Sequence, residues 1–170
     1  MSVAPAGWTT YQLSVDLPAG VSNIYALAGT PSHAVGVSAP LVLPAAYQAA
    51  APFGVHAGGI DPAFFALAPE SEYDSWITVG VTDASSDVTL SPGLGDAMEA
   101  WTADAGFEHD NCAAFFMTPS DGPSGNGIVM AQLTIAEGTS ATASGVIQGQ
   151  SASGSDYQDR VWWNIMPGLG

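Results

Sequence analysis

The sequence predicts an all-β fold: an antiparallel β-sandwich, jelly-roll or immunoglobulin-like, of roughly eight to ten strands with one or two very short helices. Three observations carry this. Short segments of two-residue alternation, rich in β-branched and aromatic residues, recur along the chain. Clusters of Gly, Pro, Ser, Asp and Asn separate them at regular intervals, with 20 glycines and 12 prolines in all. No stretch has the long helical period that the crossovers of a doubly wound sheet require. The 170 residues suit one domain over residues 1–170, with 1–10 as a loose lead-in.

Taken in order, Tyr11 to Leu17 alternates with Tyr11, Leu13, Val15 and Leu17 inward, and Gln12, Ser14 and Asp16 outward. Pro18-Ala19-Gly20 is a turn, and Ser22 to Ala28 is the next strand, so the two are candidates for a hairpin. Leu41 to Leu43 is a short apolar strand. Ala45 to Ala51 has helix-forming composition but lies between Pro44 and Pro52, which limits it to a turn or two. The centre of the core is expected between Gly58 and Ser86. There the run Phe64 to Ala68, bounded by Pro62 and Pro69, is a buried strand or a single helical turn. Tyr73, Ser75, Ile77, Val79 and Val81 then share one strand face, opposite Asp74, Trp76, Thr78, Gly80 and Thr82.

Asp87 to Leu90 is a short strand. Asp96 to Trp101 is a brief helix capped by Asp96, or a strand. Gly106 to Asn111 is a loop and Cys112 to Thr118 a strand. Pro119 to Gly127 is the segment densest in turn formers. Ile128 to Ala136 follows with Val129, Ala131, Leu133 and Ile135 on one face. Ala141 to Gln150, polar and small, reads as a sheet edge, and Tyr157 to Met166 closes the domain.

Composition narrows the partners. Arg160 is the one Lys or Arg, against sixteen acids, and the formal charge is -15. Nucleic acid and anionic membrane surfaces are therefore not expected as partners, since both need clustered cations. No apolar run approaches the ~20 residues of a membrane span, so no membrane insertion is expected. Met1 is not followed by a basic region and an apolar core, so no signal peptide is expected. Charged residues make up only 10% of the chain, so most of the exterior must be short neutral side chains, which lose little entropy when covered.

The order of several motifs resembles a module of secreted and surface proteins of planctomycete-type bacteria and marine algae. The matching pieces are Val21–Gly29 (VSNIYALAG), Pro44–Gln48 (PAAYQ), Ala51–Gly54 (APFG), Asp61–Phe65 (DPAFF), Glu72–Gly80 (EYDSWITVG), Asp110–Phe116 (DNCAAFF) and Asp121–Gly125 (DGPSG). The resemblance extends over the chain from about Tyr11 to Trp163, and the quoted pieces lie between Val21 and Gly125. The resemblance implies an extracellular or cell-surface β-sandwich module, often repeated in long proteins, with no catalytic motif and no site residues to transfer. This chain departs from it in an extra segment near Ala34–Ser38, in its near lack of basic residues, and in the absence of the C-terminal anchor that some bacterial relatives carry.

Candidate chemistry is sparse. His33, His56 and His109 lack zinc-site spacing, and Cys112, beside Glu108, His109 and Asp110, lacks any nucleophile signature. Among the acids, Asp83, Asp87 and Asp121 are the candidate calcium ligands, because calcium takes carboxylate and carbonyl oxygens from loops. Trp162 and Trp163 are adjacent and must point to opposite faces of a strand, while Trp76 opposes the Ile77/Val79 face. An outward Trp needs a cover: a local loop, another subunit, or a sugar ring. Trp76 and Trp162 are thus the candidate ligand-binding residues. The expected function is a non-catalytic module that self-associates, with other copies or sister modules, into an extracellular layer, filament or shell. The alternative is a carbohydrate-binding module, with calcium as its only candidate cofactor, and a hydrolase is the third reading. An exposed Trp with polar neighbours favours the glycan; edge or apolar contacts favour assembly.

Overall fold

In a computed structural model, which describes residues 4–33 and 37–168, the chain forms eleven strands in antiparallel sheets. They are β1 (Trp8–Val15), β2 (Val21–His33), β3 (Val37–Ala39), β4 (Leu41–Leu43), β5 (Trp76–Ile77), β6 (Thr89–Leu90), β7 (Phe107–His109), β8 (Cys112–Phe115), β9 (Ile128–Ala136), β10 (Ala141–Ser151) and β11 (Asp156–Ile165). One α-helical turn, α1 (Leu94–Met98), and three 3-10 turns complete the described elements. A three-stranded sheet runs β1-β9-β5. In the larger, eight-stranded sheet, β8, β2 and β10 form the middle, with β11 along one side of β10 and β4 sharing the other side with β2. Of the extra segment at Ala34–Ser38, Ala34 to Gly36 lie outside the described residues.

The core lies between the sheets. Leu13, Ile77, Leu133 and Ile135 from one meet Ile24, Leu27, Leu41 and Ile147 from the other. β9 is buried almost throughout, on both faces, because the long connection between Pro44 and Asp74 lies over its outer side. Tyr47 N–H, for instance, donates to Thr134 O at 2.7 Å. This covering layer explains several departures from the sequence reading. Ala45 to Ala51 is not helical but extended over β9, since its main chain finds partners on that strand and at Thr102. The Phe64 run is a 3-10 turn, Pro62–Ala66, with no buried residue, so it roofs the molecule and does not centre its core. Tyr73 to Val81 is strand only at Trp76–Ile77, although Thr78 and Gly80 still donate to Met130 O and Val129 O along β9. Its two faces are both buried, one by the core and one by the roof.

The β1–β2 hairpin does not form. β1 pairs with β9 and β2 with β10, β8 and β3, so Pro18–Gly20 carries the chain from one sheet to the other. Alternation reports that a strand has a buried face; it does not name the strand beside it. The Gly106–Asn111 loop contains β7, which pairs with β4, and α1 is preceded by Gly93 in the left-handed region, with no cap from Asp96.

Ala141 to Gln150 is not an edge. β10 is paired on both sides, and its small residues serve close packing. A Cβ on Gly149 would overlap the Asn23 carbonyl oxygen, and one on Gly145 would press on Leu27 and Leu41. Gly149→Ala is accordingly expected to cost about 1–3 kcal/mol through forced backbone displacement, read as a lower denaturation midpoint. The long edge strands are instead β11 and β1; the other strands that end a sheet, β3, β5, β6 and β7, have only two or three residues each.

Candidate functional site

The edges of β1 and β11 lie next to one another. Trp163 faces inward from β11, packs against the core and donates its indole Nε1–H to Ser14 O of β1 at 2.8 Å. This bond fixes the separation of the edges at the point where the β1–β9 register shifts, with Leu13 opposite Ala131 and Ser14 opposite Val129, so that Met130 of β9 is the extra residue. Between the strands runs an open groove of about 440 Å³, with Tyr11, Gln12 and Ser14 on one wall and Trp162, Asn164 and Met166 on the other. A second depression of about 470 Å³ continues it past Tyr11 and Met166 towards Glu137 and Gly168.

Trp162 points away from the core, as its alternation with Trp163 requires, and is 57% exposed. The Arg160 guanidinium sits 4.9 Å from its ring centroid. Both residues occupy the outward row of β11, two positions apart, so the stacking follows from strand geometry. Arg160 makes no ion pair among the described residues; the pair present is His56 to Glu99, at 3.0 Å. The chain's lone cation thus stiffens an exposed aromatic ring.

Trp76 behaves differently. It is only 2% exposed, covered by the local roof, and is no open stacking platform. One side of it lines a polar pocket of about 250 Å³ with Ser71, Glu72, Thr82, Asp83 and Gln132. Gln132 is locked there: its Nε2 donates to Glu72 O (3.0 Å) and Asp74 O (2.9 Å), and its Oε1 accepts from Gln12 Nε2 at 3.3 Å. Asp83 accepts from Ser85 N–H at 3.0 Å, and hydrogen bonds from the Ser85 side chain and backbone hold its carboxyl below the ordinary range. The pocket therefore presents an anionic wall at neutral pH.

Above it, Asp74 is wholly buried and accepts from Ala49 N–H (2.8 Å) and Val55 N–H (2.7 Å), pinning the roof to the sheet. Burial outweighs these bonds and pushes its pKa up to about 6.

The three candidate calcium ligands are not gathered. Asp83 lies in the polar pocket, Asp87 is exposed beyond the turn after it, and Asp121 is exposed in the 3-10 turn Pro119–Asp121. Among the described residues no group of three or more His, Cys, Asp or Glu side chains is placed to hold a metal ion. The sequence groups acids by loop, whereas a cation site needs them to converge in space. Cys112 is buried; its thiol faces the His109 main-chain carbonyl at 3.6 Å, and burial raises its pKa. The His109 ring instead accepts from Asn111 N–H at 3.1 Å and stacks on Phe107, so no Cys–His pair exists.

Sequence reasoning singled out Trp162 but missed Tyr11, Gln12 and Met166. Gln12 was legible as an outward residue; that it lies on an unpaired edge beside β11 was not. No helix among the described residues is long and apolar enough to cross a membrane. The chain matches no protein-family model, and no curated protein or solved structure is significantly similar to it.

Proposed function

We propose that the protein is a non-catalytic carbohydrate-binding module of an extracellular or cell-surface protein. The observation that carries this reading is Trp162: a 57% exposed ring, braced by Arg160, over a groove whose walls also carry the amides of Gln12 and Asn164. An indole face suits the C–H face of a pyranose, and amides supply both donors and acceptors to its hydroxyls. Calcium has no part in this reading, because its candidate ligands lie apart. Trp162→Ala is expected to lower affinity for the bound glycan by at least about tenfold, the loss of ~1.4 kcal/mol. The assay is a glycan array followed by calorimetry on any hit. An array without a binder would sink the reading.

The second reading, self-association into a layer, filament or shell, draws on a different observation. Leu67 (73% exposed) and Phe64 (48%) lie on the roof, while Met166 and the free side of β11 lie at the groove, so one molecule offers both exposed apolar side chains and a strand edge for contact with a second copy. Copies bearing a charge of -15 repel one another at low ionic strength, so association would strengthen with salt. Light scattering on a concentrated sample, with and without millimolar calcium, distinguishes the two: growing mass supports assembly, and a monomer throughout leaves the glycan reading.

A further inference from the structure

Four depressions share lining residues in series. The Trp162 groove and its continuation share Tyr11 and Met166. The same groove shares Gln12 with the Trp76 pocket, and that pocket shares Ile60 with an apolar hollow of about 310 Å³ walled by Phe53 and Phe64. Gln12 is the hinge of this path. Its Nε2 is held by Gln132, while its own Oε1 and second amide hydrogen stay at the exposed junction. Resting on the glycan reading above, we infer that this path is an extended binding track for a linear, uncharged polysaccharide, with Trp162 at one subsite and Glu72, Asp83 and the edge of Trp76 at a second.

Three features select this occupant. A polyanion is disfavoured, because Glu72 and Asp83 line the inner pocket, Glu137 lies at the far end of the groove, and the chain carries -15 overall. An added peptide strand on the β1 wall is disfavoured, because the Ser14 carbonyl there already accepts from Trp163. A hydroxyl-rich chain fits what remains: carboxylates and an amide oxygen to accept its O–H groups, with Tyr11 and Trp162 in the groove and Phe65 in the pocket to meet its C–H faces. Linearity follows from the order in which lining residues are shared: Tyr11 and Met166 join the outer depression to the Trp162 groove, Gln12 joins that groove to the Trp76 pocket, and Ile60 joins the pocket to the apolar hollow.

The test is calorimetric titration of the intact chain with uncharged β-1,4-linked gluco-, manno- and xylo-oligosaccharides, each as a series from disaccharide to hexasaccharide. Affinity is expected to rise by about tenfold or more along the series that binds, because the second contact is made intramolecularly once the first has formed. Glu72→Ala and Asp83→Ala, both on accessible surface, should return hexasaccharide affinity to the disaccharide level and leave the disaccharide unchanged; Trp162→Ala should weaken both. Binding that is independent of length, or pocket variants that weaken short and long ligands equally, would overturn the extended track while leaving glycan binding in place. If no oligosaccharide binds the unaltered protein, the glycan reading falls and the track with it.

Discussion

Trp101→Ala is expected to destabilise the domain by about 3–5 kcal/mol, a large share of the margin of about 5–15 kcal/mol that a domain ordinarily has. The ring is 1% exposed in the main core, and its Nε1–H donates to Pro44 O at 2.7 Å. The same region ties Ala46 N–H to Thr102 O at 3.0 Å, so Trp101 anchors the start of the roof to the turn after α1. Alanine opens a large cavity and strips the Pro44 carbonyl of its partner. Trp101→Phe separates the two contributions. It keeps most of the apolar volume and is expected to cost about 1–3 kcal/mol, mainly for the unmatched carbonyl. Urea denaturation of both variants checks this; equal midpoints for Ala and Phe would show that packing contributes little.

Stability is expected to fall as pH rises from about 4 to about 6.5, and Asp74 is the reason. Its carboxyl is raised from an ordinary value of 3.8 to about 6 by burial, against the opposing effect of its backbone donors. Below 3.8 the group is neutral in both states and its contribution to stability is fully present. Between 3.8 and about 6 the unfolded chain ionises while the folded one keeps its proton, so the folded state binds more protons and loses stability with rising pH. The difference amounts to about 3 kcal/mol. The remaining acids repel one another more strongly over the same range, so the informative quantity is the difference between the wild-type curve and that of Asp74→Asn. Asparagine removes the titration and is expected to flatten the curve by that amount, at the cost of one poorly matched backbone N–H at Ala49 or Val55. Parallel curves would show that the slope arises elsewhere.

These two residues also mark where sequence reading reached its limit. The class of fold was legible because alternation and punctuation are local: Tyr11 to Leu17 and Ile128 to Ala136 could hardly be anything but strands. The opposite orientation of Trp162 and Trp163 followed from the pleat alone, and the structure places one outside and the other against the core. Asp74 and Trp76, by contrast, sat on a face that alternation marked as solvent-facing. They are buried because a connection some thirty residues long folds back over the smaller sheet, and no local pattern encodes that.

What the sequence by itself determined is the all-β class, the position of the longer strands β1, β9, β10 and β11, the lack of long helices, the acidity, and the one tryptophan that must turn outward. Each depends on residue type and on neighbours a few positions away. Only the tertiary structure decided which strands pair, that small residues in β10 mark the middle of a sheet and not its rim, and that β1 and β11 end beside each other to form a groove. Strand pairing depends on which complementary surface is available anywhere along the chain, and the glycines of β10 fit an edge or a crowded interior equally well until their neighbours are known.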